Sequence, residues 1–197
     1  MRRIISKEEE AKKRKRNRFL VGGVLIFVML FSVLGFAFQG GSGGGSTGNS
    51  NEIIYNNFKF INQNNLWFTG NGNLNFVFAY NPNEVDEPNY NVNTLTNYYG
   101  KPLYIYSEDK DAETEIYRNF DPRSNPIVQR IQPACFSEEK CEGDLPIKTC
   151  EDNFIIIRES NVSKVTQDQN CVYIEGPKED LTRITDGFLF KLFEIAQ

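Results

Sequence analysis

The 197-residue chain contains no histidine. That single absence removes the commonest general base, the commonest nitrogen ligand of zinc and every Ser-His or Cys-His dyad. Carboxylate pairs, Ser-Lys arrangements and thiols acting alone stay open as chemistry. Cysteine is scarce, with four residues and none before Cys135. Neither a C-x-x-C redox motif nor the paired short knuckles of structural zinc can be built from them. Tryptophan occurs once, at Trp67, and no Lys or Arg occurs from Phe19 to Phe58.

The charges that are present fall at opposite ends. Residues 1–18 carry nine Lys/Arg (from Arg2 to Arg18) against Glu8, Glu9 and Glu10, a net +6. From residue 51 onward there are 13 basic and 23 acidic side chains, a net −10. Carboxylates repel phosphate backbones, so the acidic part excludes nucleic acid as a partner.

Between the two lies FLVGGVLIFVMLFSVLGFAF, Phe19–Phe38, uncharged and with Ser32 as its one polar side chain. Twenty such residues match the helix needed to cross about 30 Å of hydrocarbon. The basic cluster upstream sets the orientation by the positive-inside bias. The expectation is a cytoplasmic tail at 1–18, a transmembrane helix at 19–38 and an exported C-terminal part at the cell membrane. A secretory signal cut after Ala37 is the rival reading, because Gly35 and Ala37 are small residues at the right positions. Residues 39–51 are a Gly/Ser/Asn tract, a flexible tether of about 20 Å mean span. Its matches to G-x-S-x-G and G-x-G-x-x-G lack the strand-turn-helix context those motifs need.

Residues 52–197 have room for one folded domain, and their pattern predicts an α+β fold of antiparallel meanders with a C-terminal amphipathic helix packed on the sheet. Residues 53–80 read as a three-stranded meander. Asn71-Gly72 suits a type I′ hairpin, and Leu74, Phe76, Phe78 and Tyr80 share one face of the last strand. Trp67 faces away from Leu66 and Phe68 and reads as a core contact. A Pro- and Asn-rich excursion at 81–102 leads to a short strand at 103–106. The acidic run 108–115 fails as a calcium loop, with Thr114 where the turn glycine belongs and Phe120 where the bidentate Glu belongs. It reads instead as the first turns of a helix through Asn119, ended by Pro122 and Pro126. Phe154–Ile157 is a buried strand, 162–166 a short intervening strand and 172–174 another. Leu181, Ile184, Phe188, Leu192 and Ile195 then form one helical stripe. Phe190 and Phe193 point away from that stripe and are predicted to contribute to a contact surface.

An even cysteine count in an oxidising space predicts two disulfides. If the strand between the turns makes the chain reverse twice, Cys150 and Cys171 return to one end of the sheet, within bridging range. The predicted pairs are Cys135–Cys141 and Cys150–Cys171. A metal site made of all four cysteines is the weaker alternative. Asn161-Val162-Ser163 is the one N-x-S/T sequon of the exported part, which makes Asn161 a glycosylation candidate at a turn.

No constellation identifies a reaction, and no catalytic residue, metal ligand or cofactor is assigned. The expected function is a tethered, non-enzymatic binding or cell-envelope interaction module, meeting other envelope proteins or glycans. The alternative is a membrane-anchored hydrolase using two carboxylates, with Glu84, Asp86, Glu108 and Asp144 as candidates, all in charged stretches where solvated acids are the norm. Two carboxylates about 5 to 9 Å apart in an apolar cleft are what that alternative requires.

Overall fold

The computed structural model describes residues 51–86, 90–136, 141 and 144–196. The chain divides into two compact units, Met1–Thr47 and Gly48–Gln197, and every described residue belongs to the second. The expected tail, membrane helix and most of the tether therefore lie outside the described residues. Among the described residues no helix is long and apolar enough to cross a membrane.

The first sheet is an antiparallel meander of four strands in sequence order: β1 (Glu52–Tyr55), β2 (Phe58–Gln63), β3 (Leu66–Asn71) and β4 (Leu74–Phe78). The pattern had predicted three. The extra reversal is at Asn56-Asn57, both at positive φ (44° and 67°), and Asn64-Asn65 repeats it at 54° and 62°. Two successive left-handed residues make the type I′ turn whose twist suits a hairpin, and asparagine tolerates that region better than other non-glycine residues. The last hairpin instead places Gly72 (φ 61°) first in a two-residue loop with Asn73, so positive φ falls at one position where the I′ reading of Asn71-Gly72 required two.

The second sheet has five strands in the order β10-β11-β9-β5-β6, with β5 (Pro102–Ser107), β6 (Arg130–Pro133), β9 (Asn153–Glu159), β10 (Lys164–Asp168) and β11 (Cys171–Gly176). Here the expectation of antiparallel meanders is corrected. The β5-β6, β5-β9 and β9-β11 pairs are parallel, and β10-β11 alone is antiparallel. The chain does reverse twice after β9, but β11 inserts between β9 and β10 and buries itself on both sides. An apolar strand such as Val172-Tyr173-Ile174 gains more there than at an edge, which goes to the polar β10, with Lys164, Thr166 and Asp168 exposed.

Helix α1 (Lys110–Phe120) joins β5 to the segment before β6, and helix α2 (Leu181–Leu192) follows β11. Asp109 caps α1, its carboxylate accepting from the N–H groups of Asp111 and Ala112, which explains the acidic run without calcium. One core holds Phe60, Phe76 and Phe78 of the meander, Ile116 and Phe120 of α1, Phe188 and Phe190 of α2, and Leu103, Ile105, Ile155, Ile157, Val172 and Ile174 of the second sheet. The opposite face of that sheet packs Tyr104, Phe154 and Ile156 under Ala134 and Phe136. Phe136 belongs to a small parallel pair, β7 (Cys135–Phe136) with β8 (Ile147–Lys148).

Strand β4 ends the meander, yet its outer edge is not bare. Asn75 N–H donates to Asn125 Oδ1 at 2.9 Å and Asn75 C=O accepts from Asn125 Nδ2 at 2.8 Å. Val77 N–H and C=O make the same pair with Asn119 at 2.9 and 2.8 Å. Each amide's second N–H is also used, by Glu115 C=O for Asn119 and by Asn119 C=O for Asn125. Both side chains are fully buried. Truncating Asn119 leaves the N–H and C=O of half-buried Val77 without their partner, at up to about 1–3 kcal/mol each. Asn119→Ala is expected to lower the unfolding free energy by about 2–5 kcal/mol in urea titrations, and Asn119→Asp by more, because a carboxylate then faces two carbonyls. A loss below about 0.5 kcal/mol, the range of surface substitutions, would contradict this role.

Candidate functional site

All four cysteines are paired as the spacing predicted. Cys135–Cys141 spans 5.4 Å and Cys150–Cys171 spans 4.9 Å between Cα atoms, and no cysteine is free. Asn161 is exposed at the bend between β9 and β10. Trp67 is buried in the core, while Phe68 on the opposite face is 37% exposed.

Phe190 and Phe193 are not a contact surface. Both are buried, Phe190 with its ring 4.5 Å from Phe78 and edge-on to Phe60, and Phe193 stacked 4.0 Å from Phe76. The helical stripe correctly marks the face of α2 toward β9–β11. The meander closes over the other face, so a helix enclosed by two sheets is apolar on both sides.

Glu84, Asp86, Glu108 and Asp144, the acids considered for hydrolysis, are all exposed. The structure instead brings together two acids that the pattern did not single out. Glu115 of α1 is 2% exposed and Asp186 of α2 is 0% exposed. Glu115 Oε1 accepts from Arg118 Nη1 at 2.7 Å, and the nearby Ala79 N–H favours the charged form of this carboxylate. Asp186 Oδ2 accepts from Tyr80 N–H at 2.8 Å. Glu115 Oε2 and Asp186 Oδ1 are buried with no hydrogen-bond partner, and each carboxyl perturbs the other's affinity for protons. Two neighbouring buried carboxylates repel, so the pair favours a state in which one carboxyl is protonated. Arg118 and Ala79 favour charge on Glu115, which leaves the proton on Asp186.

Burial raises the affinity of both groups for protons, and at Asp186 the adjacent Glu115 charge adds to it, lifting that carboxyl well above its ordinary range. Asp186 is fully buried, and Glu115 is 2% exposed where it borders an open surface hollow with Ala79, Tyr80 and Arg118. These groups continue the line of side chains along β4, adding Ala79 and Tyr80 to Asn75 and Val77. Their role is to hold the fold. The sequence signal was slight: an Asp at the middle of α2, just before the apolar run Gly187–Phe190, and a Glu three residues before Arg118. Among the described residues no cluster of His, Cys, Asp or Glu is arranged to hold a metal ion.

A small concavity lies elsewhere, between Val85, Asp86 and Tyr90, the start of β10, and α2. Its volume is about 160 Å³. Val85, Tyr90, Val165 and Ile184 make its walls, Gly187 its floor, and Asp86, Ser163, Lys164 and Arg183 its rim. Gly187 sits in the interior of α2, where glycine costs about 1 kcal/mol relative to alanine. A Cβ placed there would meet nothing closer than 3.8 Å, at Tyr90 Oη and Val85 Cβ, so packing does not demand a glycine. What the missing side chain leaves is the open floor.

Because the folded state keeps a proton that the unfolded chain releases near pH 4, the pair's stabilisation is complete at low pH and falls as pH rises through the raised folded values. Asp186→Asn preserves the acceptor for Tyr80 and a donor for Glu115. It is expected to fold normally and to flatten the pH dependence of stability between pH 4 and 8 by up to about 1.4 kcal/mol per pH unit over part of that range. Asp186→Ala is expected to cost at least about 2 kcal/mol. Denaturant titrations across pH test this, and equal damage by Asn and Ala would overturn it.

Compared with known proteins, the chain matches no family model, no curated protein and no solved structure.

Proposed function

We propose that the chain is an exported binding module tethered to the cell membrane by its N-terminal apolar segment, without catalytic chemistry of its own. The observation that carries this reading is the fate of the cysteines: every one is spent in a disulfide within the acidic domain, as expected of an oxidising compartment. The basic tail and the uncharged run Phe19–Phe38 agree in orientation with that compartment.

The non-enzymatic part rests on how the buried acids are used. Glu115 is held by Arg118, and Asp186 by the Tyr80 N–H just past the end of β4. With histidine absent, little remains in the described residues to move protons at a reacting centre. A tethered domain with a small, partly apolar surface pocket is suited to recognition, with envelope proteins, glycans or small solutes as the classes of partner.

Protease treatment of intact cells tests the topology. The domain is expected to be released from the outside, to resist thiol alkylation until reduced, and to leave an anchored fragment that begins at the chain's own N-terminus. Protection of the domain in intact cells, or free thiols in the purified chain, would overturn export. A mature protein beginning at Phe38 would overturn the anchor alone.

A further inference from the structure

We propose that the pocket above Gly187 is a binding site for a small carboxylate with an apolar body of about one ring, its carboxylate held by Arg183. Size comes first. The space is about 160 Å³ and a dry cavity of about 150 Å³ accommodates benzene, so one ring or a short branched chain fills it. The body of such a ligand would lie against Val85, Val165 and Ile184, over a floor kept open by the glycine.

Charge selects the polar end. Arg183 is 29% exposed, and its Nη2 is fixed by Asp180 at 2.9 Å, which orients the guanidinium. Its Nη1 has a weaker contact, 3.4 Å to Asp86, whose side chain is 90% exposed. Arginine presents donors in a fork that matches a carboxylate, so a ligand acid can replace Asp86 while Asp180 keeps the fork in place. Lys164 on the rim is paired with Glu175 at 3.0 Å and adds positive potential without being required as a direct partner. Among the described lining residues, a ligand amine would have only the Asp86 carboxylate to meet, and that group is turned to water. The geometry therefore favours an anion over a cation and over a neutral molecule of the same size.

This deepens the binding reading by giving it a site, and it stands apart from topology, which the protease experiment tests on its own. The full-length chain in a nanodisc, with methyl groups labelled for NMR, would be titrated with benzoate, benzyl alcohol and benzylamine. Benzoate is expected to shift the methyl signals of Val85, Val165 and Ile184 saturably at one site, with benzyl alcohol weaker and benzylamine weakest. Arg183→Gln is expected to weaken benzoate about tenfold or more, the loss of a charge-assisted hydrogen bond, and to leave benzyl alcohol unchanged. Gly187→Leu, which fills the floor, is expected to abolish binding of all three, with Gly187→Ala as a folded control. If Gly187→Leu fails to fold, the shift map and Arg183→Gln still decide. No saturable shift at these methyls, benzyl alcohol or benzylamine binding as tightly as benzoate, or an unchanged benzoate affinity in Arg183→Gln would each overturn the proposal.

Discussion

The free edge of β4 is the constraint around which the domain is arranged. A meander of four strands ends there with a row of peptide groups facing outward, and among the described residues no fifth strand covers them. Side chains do so instead: Asn125 on Asn75, Asn119 on Val77, Glu115 on Ala79 and Asp186 on Tyr80. The match is one of periods. Four residues of helix rise about 6 Å and two residues of strand rise about 6.8 Å, so a helix running antiparallel to the edge addresses alternate strand residues with side chains one turn apart. Glu115 and Asn119 have that spacing. Once α1 is fixed on the edge and packed against α2, the helices are held against the inner face of the meander. The aromatic contacts of Phe78 with Phe190 and Phe76 with Phe193 follow from that placement.

Much of the strand layout was legible in the sequence because asparagine and glycine mark left-handed turns and because alternation marks the meander. Disulfide pairing was legible for a topological reason, since counting chain reversals brings Cys150 and Cys171 to one end of a sheet whichever strand lies between them. Strand order was not legible. Reversing twice is compatible both with a simple meander and with β11 inserted beside β9, and the choice depends on burial of Val172 and Ile174 against elements far away in sequence. Phe190 and Phe193 were misread for a related reason. A stripe at helical spacing shows one face that is buried, but it does not show that a second sheet covers the other. Asn119, Asn125 and Asp186 are polar residues that local pattern assigns to water, and only the tertiary position of β4's edge gives them a buried purpose.

The same circumstance bears on function. Two neighbouring buried carboxyls invite a catalytic reading, but Glu115 Oε1 is held by Arg118 and Asp186 Oδ2 by the Tyr80 N–H. Asp186 is sealed in the interior, and Glu115, 2% exposed, borders an open surface hollow beside Arg118. The residues suited to recognition are those that pattern reading passed over, Arg183 and Gly187, on the side of α2 toward β10 and the long excursion.

Native-state amide hydrogen exchange on the full-length chain tests the central claim most directly. If side chains complete the meander, the amides of Asn75, Val77, Ala79 and Tyr80 exchange as slowly as those of Ile155–Ile157 in the middle of the second sheet, and all open together. Exchange of those four amides at the rate of an uncovered edge strand, while the core stays protected, would contradict it.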